Sequence, residues 1–402
     1  MRAHLILEWK KQPWGLHLFW LILLTVLLSY LAVGWTTTAK HGMGFSQTSD
    51  VVHMAKPTTE GERQFWVWYL EHDSKSGEYS NVERKVQQRE LAALKRRDYR
   101  RVNQIMYDAD TKDVHVNKQW TYTDYMQTVI SNGDPNFFKE ITAVLRYELD
   151  HNMNRLAQID TSAAVINNFA GVFGVSLNLP MYNNGHLLNS QTVLQIILIM
   201  GLVTACFAMF CDHRARTDSF MQVVPLGAFR RALLRAAVTI AVINGILIFV
   251  ALAMLLSQML IPGHDFGTLQ SPVVFTLRDH VYVLPLWRGI VAEWGLFNCW
   301  LVMFTGAGLV VSLLSRSELV GIFLLAIFTF AQPLHILALV PANLRRFFPA
   351  QLTNFSAMVL HKNEFSVIPL WQIFATISAW AAAFWLLGWA LQRISARRRT
   401  LQ

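Results

Sequence analysis

Glu293 and His335 are ionisable residues set inside long apolar runs of this 402-residue chain. A charge in hydrocarbon persists only where protein or water answers it, so such residues are candidates for handling a proton, an ion or a cargo. Glu293, one turn into its run, must face protein or water and is a candidate for a translocation path. Arg288, five positions earlier, falls on a different part of a helix and is expected to snorkel to the interface. His335 stands beside Gln332 and Pro333. It is a second path candidate, although a buried, hydrogen-bonded histidine at a proline kink is the plainer reading. Asp108-Ala-Asp110 with Asp113 offers oxygen ligands, but it lacks the glycine and final glutamate of a calcium loop and reads as an acidic turn. Cys206 and Cys211 share no helix face well and read as small apolar residues. Asn354-Phe-Ser is a formal glycosylation sequon of a kind common by chance.

Other chemistry is absent from the sequence. There is no G-x-x-x-x-G-K-[ST] segment, no H-E-x-x-H and no C-x-x-C. No catalytic, cofactor-binding or metal-binding set is therefore assigned, and the chain is not expected to be an enzyme. The chain carries no nucleotide-binding P-loop of its own.

The elements that would position these residues are membrane helices. Of the residues, 53% are hydrophobic and 15% charged, against about 25% charged in an average soluble domain. Disorder, collagen-like repeats and a disulfide scaffold are excluded. About 20 apolar residues are needed to cross the hydrocarbon. Six stretches meet that length: 14–35, 191–211, 236–260, 289–314, 319–341 and 369–391. The first is long for a signal-peptide core and ends in a poor cleavage site, so it is read as a retained span.

Basic residues orient the bundle. The N-terminal segment 1–13, the loop 212–235, the turn between spans four and five and the tail 392–402 hold 13 Lys and Arg against four acids. The insert 36–190 is nearly balanced. The formal charge of +9 thus falls on one face, which places both termini in the cytoplasm and the insert outside. The fold class expected is an all-α polytopic membrane protein of six spans with an α-rich extracytoplasmic insert.

Within the insert, Asn81 to about Tyr107 reads as one long amphipathic helix and Pro135 to about Ile159 as a second, started by Asn132-Gly-Asp-Pro135. The uncharged stretch 161–180 is expected to pack beneath the insert beside span two, with a further span or re-entrant segment as the alternative. A second outer segment, 342–368, precedes span six.

The most informative segment is the loop Asp212 to Gly227 between spans two and three. Thr217 can cap a short helix on which Phe220, Met221, Val223 and Val224 make an apolar knob ending at Pro225. Arg214 lies before the knob and Arg230, Arg231 and Arg235 after it. An apolar knob on a charged face suggests lipid contact or a docking surface.

Here the chain resembles the ABC-2 family of ABC transporter permeases, in the branch with a large outer domain between spans one and two. Asp212, Thr217 and Pro225 match the family spacing of acid, threonine and proline. Arg216 stands where glycine is usual, and Gly227-Ala228 where a hydroxyl residue and arginine are usual. The six-span layout, the amphipathic Met1–Trp14 segment, the short Ser315–Glu318 turn and the outer stretch Asn343–Glu364 are similar too. The resemblance implies a bacterial plasma-membrane permease subunit that pairs with an identical or related subunit and exports a peptide, antibiotic or other amphipathic compound. A separate ATPase, holding ATP and Mg, would dock on Asp212, Arg214, Thr217, Phe220, Met221, Val224, Pro225 and Arg230. Two alternatives remain: a non-transporting subunit for sensing or resistance, and an intramembrane enzyme using Glu293 or His335. No nucleic-acid partner is expected.

Overall fold

The computed structural model describes residues 2–38, 63–71 apart from 65 and 69, 81–111, 137–155, 165–174, 190–214, 227–260, and 266–400 apart from 279 and 316. Thr217, Phe220, Met221, Val224 and Pro225, Asp113, the Asn132–Pro135 signal and most of the segment flanking 165–174 lie outside them.

Among the described residues, five helices are long and apolar enough to cross a membrane. They lie in α2 (Trp14–Thr38), α7 (Ser190–Met209), α8 (Ala228–Met259), α9 (Leu286–Leu314) and α11 (Leu370–Thr400). α9 packs along α11 and α7, and α8 along α2. Leu24, Leu198, Ile243, Trp300, Phe304 and Ile377, each 0% exposed, mark one continuous core through all five. Close approach of α9 and α11 rests on glycine. A Cβ at Gly306 would stand 2.8 Å from the Trp385 ring, and one at Gly388 2.8 Å from Leu309.

The fifth expected span departs from expectation. Only Glu318–Thr329 (α10) is helical, 12 residues or about 18 Å, well short of the hydrocarbon thickness. Gln332-Pro333 follows, and residues 331–335 turn, with His335 at φ 57°. Pro333 brings no backbone N–H and restricts the residue before it, which explains why the helix stops. The chain then runs through 3-10 and short helical pieces to Phe365. This irregular stretch reaches deep beside the spans. The Trp300 indole donates to the Leu352 carbonyl at 3.0 Å and the Trp380 indole to that of Phe347 at 2.8 Å. Irregular backbone at such depth survives only where protein satisfies it.

Span boundaries also move. α8 begins at Ala228 rather than 236, and α11 continues to Thr400 rather than 391. Arg230, Arg231 and Arg235, and Arg393 to Arg399, therefore ride on helices.

Before α2 lies α1 (Arg2–Lys10). The expected long helix in the insert is two, α3 (Asn81–Lys95) and α4 (Tyr99–Thr111). Arg97 adopts the left-handed region at φ 58°. The Asp98 amide bonds back to the Ala93 carbonyl at 3.0 Å, and the Asp98 carboxylate accepts from the Arg101 amide at 3.1 Å. One helix is closed and the next capped at the same place. The second expected helix is shorter, α5 (Phe137–Asp150), ended by Asn152 at φ 53°. α6 (Val165–Phe173) buries Ile166, Phe169, Ala170 and Val172 in the bundle core and touches α2, α7 and α8. The expectation that this stretch packs beside span two therefore holds for its described part.

The structure is helical as expected, with the addition of one two-stranded hairpin among the described residues. β1 (Pro272–Leu277) pairs antiparallel with β2 (His280–Pro285), Leu277 opposite His280. Arg278 takes φ 50° in the two-residue connection, as the strand twist requires. The hairpin seats the insert on the bundle. α5 packs on both strands, and Val274 joins the insert core of Trp66, Leu94, Val102 and Leu145.

Candidate functional site

The end of the bundle that gathers α1, the end of α7 and the start of α8 holds a buried ion network. Span two ends at Met209, and a short helix, Cys211–Arg214, turns Asp212 back toward the bundle. Arg235 lies two turns into α8, on the face that also buries Ala232, Ala236 and Thr239. Its guanidinium donates to Glu8 through Nε at 2.7 Å and Nη2 at 3.3 Å, and to Asp212 through Nη2 at 2.6 Å. Lys11 Nζ reaches the other Asp212 oxygen at 2.8 Å. Two acids and two bases thus make a locally neutral quartet. The Arg235 and Glu8 side chains are 7% and 2% exposed. Forked, two-carboxylate ligation is the geometry arginine suits and lysine does not.

A second tier of polar groups lies beneath. Thr239 Oγ1 donates to the Arg235 carbonyl at 2.9 Å and approaches Gln12 Oε1 at 3.3 Å. The Gln12 amide donates to the Glu8 carbonyl at 3.4 Å, and His17 Nε2 lies 3.3 Å from Gln12 Oε1. Burial alone would raise the Asp212 carboxyl. The charges of Arg235 and Lys11 and their hydrogen bonds outweigh it and hold it below the usual carboxylate range. Cys211 beside it is pushed up to about 12, chiefly by burial, so it is an inert thiol at neutral pH.

The neighbouring turn is tied in as well. Arg214 lies 3.3 Å from Glu318 at the start of α10 and over the Phe207 ring at 5.2 Å. His213 Nε2 is 3.1 Å from the Ser312 carbonyl near the end of α9. Arg230 is exposed.

The expected sites thus separate. Asp212 and Arg214 are brought together with Arg235, Glu8, Lys11 and Glu318, whereas the knob from Thr217 to Pro225 lies outside the described residues. Glu293 is 6% exposed, and its Oε1 has no hydrogen-bond partner. Arg288 is exposed and stacks over Trp287, as snorkelling requires. His335 is neither buried nor inside a helix; it is exposed in the turn after α10, because the chain leaves the helix before it. Glu293 and His335 are thus on different elements, and the two do not form one site.

Asp108 accepts from Gln104 along α4 at 3.0 Å, and no group of three or more metal-ligating side chains occurs among the described residues. The Asn354 side chain caps the short helix Phe355–Val359, accepting from the Ala357 amide at 3.1 Å, and Ser356 is buried with its hydroxyl on the Gly174 carbonyl. The sequon is thus structural at both polar positions.

Sequence reasoning missed the quartet because it counted Glu8, Lys11, Asp212 and Arg235 only as charges on one face. One signal was available: Arg235 stands one turn before an uninterrupted apolar run, and Glu8 is the sole acid of a basic N-terminus. A second site at the opposite end was equally hidden. Arg155 binds Glu148 at 3.1 Å and the Ser271 hydroxyl at 2.7 Å, while Asn103 donates to Glu148 at 2.9 Å. This joins the insert helices to the hairpin.

Compared with known protein families, characterised proteins and solved structures, the chain matches none.

Proposed function

We propose that this chain is the membrane-spanning permease subunit of an ABC transporter, exporting a peptide, antibiotic or other amphipathic compound with ATP hydrolysed by a separate ATPase subunit. The observation that carries the reading is the rooting of the 215–226 loop. On its near side Asp212, and on its far side Arg235, belong to one buried network that also grips α1. A force applied to that loop passes into spans two and three and the N-terminal helix together. A docking loop for a motor subunit needs that coupling, because ligand binding shifts a conformational equilibrium only through contacts that differ between its states. Asp212 contributes by anchoring the loop, while Thr217, Phe220, Met221, Val224, Pro225 and the exposed Arg230 meet the ATPase.

In this reading the basic end lies in the cytoplasm with both termini, in a bacterial plasma membrane, and the insert lies outside. α10 with the irregular stretch after it completes the sixth crossing. A second permease subunit completes the pathway, and Glu293 lines it. A sensing or resistance subunit without flux is the second reading. It is favoured by the Arg155–Ser271 and Glu140–Thr276 bonds that tie the insert to span four.

Affinity purification in mild detergent, with mass spectrometry of the co-purifying chains, tests the proposal. A P-loop ATPase is expected with the wild type and not with Phe220→Asp or Val224→Asp. Absence of any ATPase from the wild-type preparation, under conditions that preserve known complexes, overturns it.

A further inference from the structure

Glu293 is the buried ionisable group that the coupling network does not use. It lies seven residues into α9, about 10 Å below the start of the helix. It shares the inward face with Leu286, Gly289, Leu296, Phe297 and Trp300, all buried. Its side chain is 6% exposed and Oε1 meets no donor.

Among the described residues, no cation stands at its depth on the helices packed around α9, and α10 brings only the acid Glu318, at its start. α6 and α7 carry no charged residue, α8 none after Arg235, and α11 none before Arg393. The short helix Phe355–Val359, which also packs on α9, carries none either. Arg288, on α9 itself, turns outward onto Trp287. A carboxylate so placed is costly unless a cation answers it. Among the described residues, the pairing expected of a buried charge is missing on the protein side. An apolar surround with a single acid is the chemistry that accepts a lipophilic cation.

We propose that Glu293 is the binding site for the positively charged group of an amphipathic cargo. The proposal rests on the permease reading and narrows its cargo to cations.

The test uses the full chain, purified in mild detergent, with tetraphenylphosphonium as the probe. Wild type is expected to bind it saturably. Glu293→Gln is expected to lose at least tenfold in affinity, and Glu293→Asp to retain most of it. Both variants should keep the wild-type thermal midpoint, since neither breaks an ion pair. Dicyclohexylcarbodiimide, a carboxyl reagent that partitions into apolar surroundings, should modify Glu293, and tetraphenylphosphonium should protect it. Equal probe binding by Glu293→Gln and wild type, or labelling at Glu293 that the cation does not slow, overturns the proposal. The two readings fail separately. Loss of the ATPase partner with Glu293-dependent binding intact removes the permease and leaves the cation site. The converse removes only the cation site.

Discussion

Replacing Arg235 by methionine removes one guanidinium and strands two carboxylates. Glu8 loses partners at 2.7 and 3.3 Å, and Asp212 loses one at 2.6 Å and keeps Lys11. Glu8 is 2% exposed, so water cannot replace what is lost. Breaking a buried pair from one side costs about 3–5 kcal/mol, most of it the price of an uncompensated charge. The Arg235→Met variant is therefore expected to unfold about 3–5 kcal/mol more easily than wild type, read from tryptophan fluorescence during denaturant titration of the full chain in mild detergent. Removing the charge on both sides is different. Apolar replacement of a whole buried pair is often neutral, so Glu8→Gln with Arg235→Met should recover most of the loss, leaving about 1 kcal/mol. A double-mutant cycle between the two positions should give a coupling of at least about 2–4 kcal/mol, the single loss less what the double variant retains. If Arg235→Met lies within about 0.5 kcal/mol of wild type, as for an ordinary surface substitution, the network is not buried, and the argument that the loop is rooted in it fails with it.

Asp212 gives the same network a pH signature. Its folded carboxyl titrates below the usual value, so its stabilisation is full above a pH of about 4 and is lost as pH falls through the lower folded value. The thermal midpoint should drop steeply below about pH 4, and Asp212→Asn should flatten that acid drop. His361, packed on Phe275 at 4.9 Å, titrates lower than an ordinary histidine chiefly because it is buried. The unfolded chain takes up that proton first, so stability is full above about pH 6.5 and falls below it. Limited proteolysis of the insert should therefore quicken between pH 7 and 5.5, and His361→Gln should abolish the change. Gly306→Leu would drive a side chain into the Trp385 ring, where even a Cβ would stand at 2.8 Å. Overpacking of this kind costs about 1–3 kcal/mol, measured by the same denaturant titration, whereas Gly15→Ala, with open space around it, should be near neutral.

The helices were legible where hydropathy alone decides. α7 and α9 begin and end within about three residues of the apolar runs, an ordinary boundary error. Legibility failed where a turn overrides composition. The run 319–341 is apolar enough to span, yet Gln332-Pro333 ends α10 early and sends His335 to the surface. In the same way Arg97 and Asp98 cut a periodic pattern into two helices. The hairpin was written in the β-branched alternation of Pro272–Leu277 and His280–Pro285, but the neighbouring apolar spans masked a signal only six residues long in each strand. The ion network was not legible as a site. Its members are up to 227 positions apart in sequence, and only packing of α1 against α8 reveals that four surface-type charges form one group, with Arg235 and Glu8 buried and Lys11 and Asp212 half-buried.

The two polar junctions sit at opposite ends of a common rod, and this decides how motion can travel. At the basic end, His213 approaches the Ser312 carbonyl near the end of α9, and Arg214 reaches Glu318 on α10. At the other end the hairpin leads straight into α9 at Leu286, and Arg155 and Glu140 fasten the insert to that hairpin. α9 is buried along most of its length and packs against α7 and α11. It is thus one continuous element, approached by His213 at one end and continued into the hairpin at the other, and on the permease proposal a tilt imposed at the 215–226 segment is expected to reach the hairpin. Glu293 lies on that rod between the two junctions. On the cation-site proposal, cargo bound at Glu293 would favour whichever tilt leaves the carboxyl room to accept it. By the reciprocity of linked equilibria, the tilt driven from the loop changes cation affinity by the same factor. Cutting Arg155 from Ser271 should therefore leave loop-driven changes at Glu293 intact while uncoupling the insert, which separates a flux path from a signalling path within one chain.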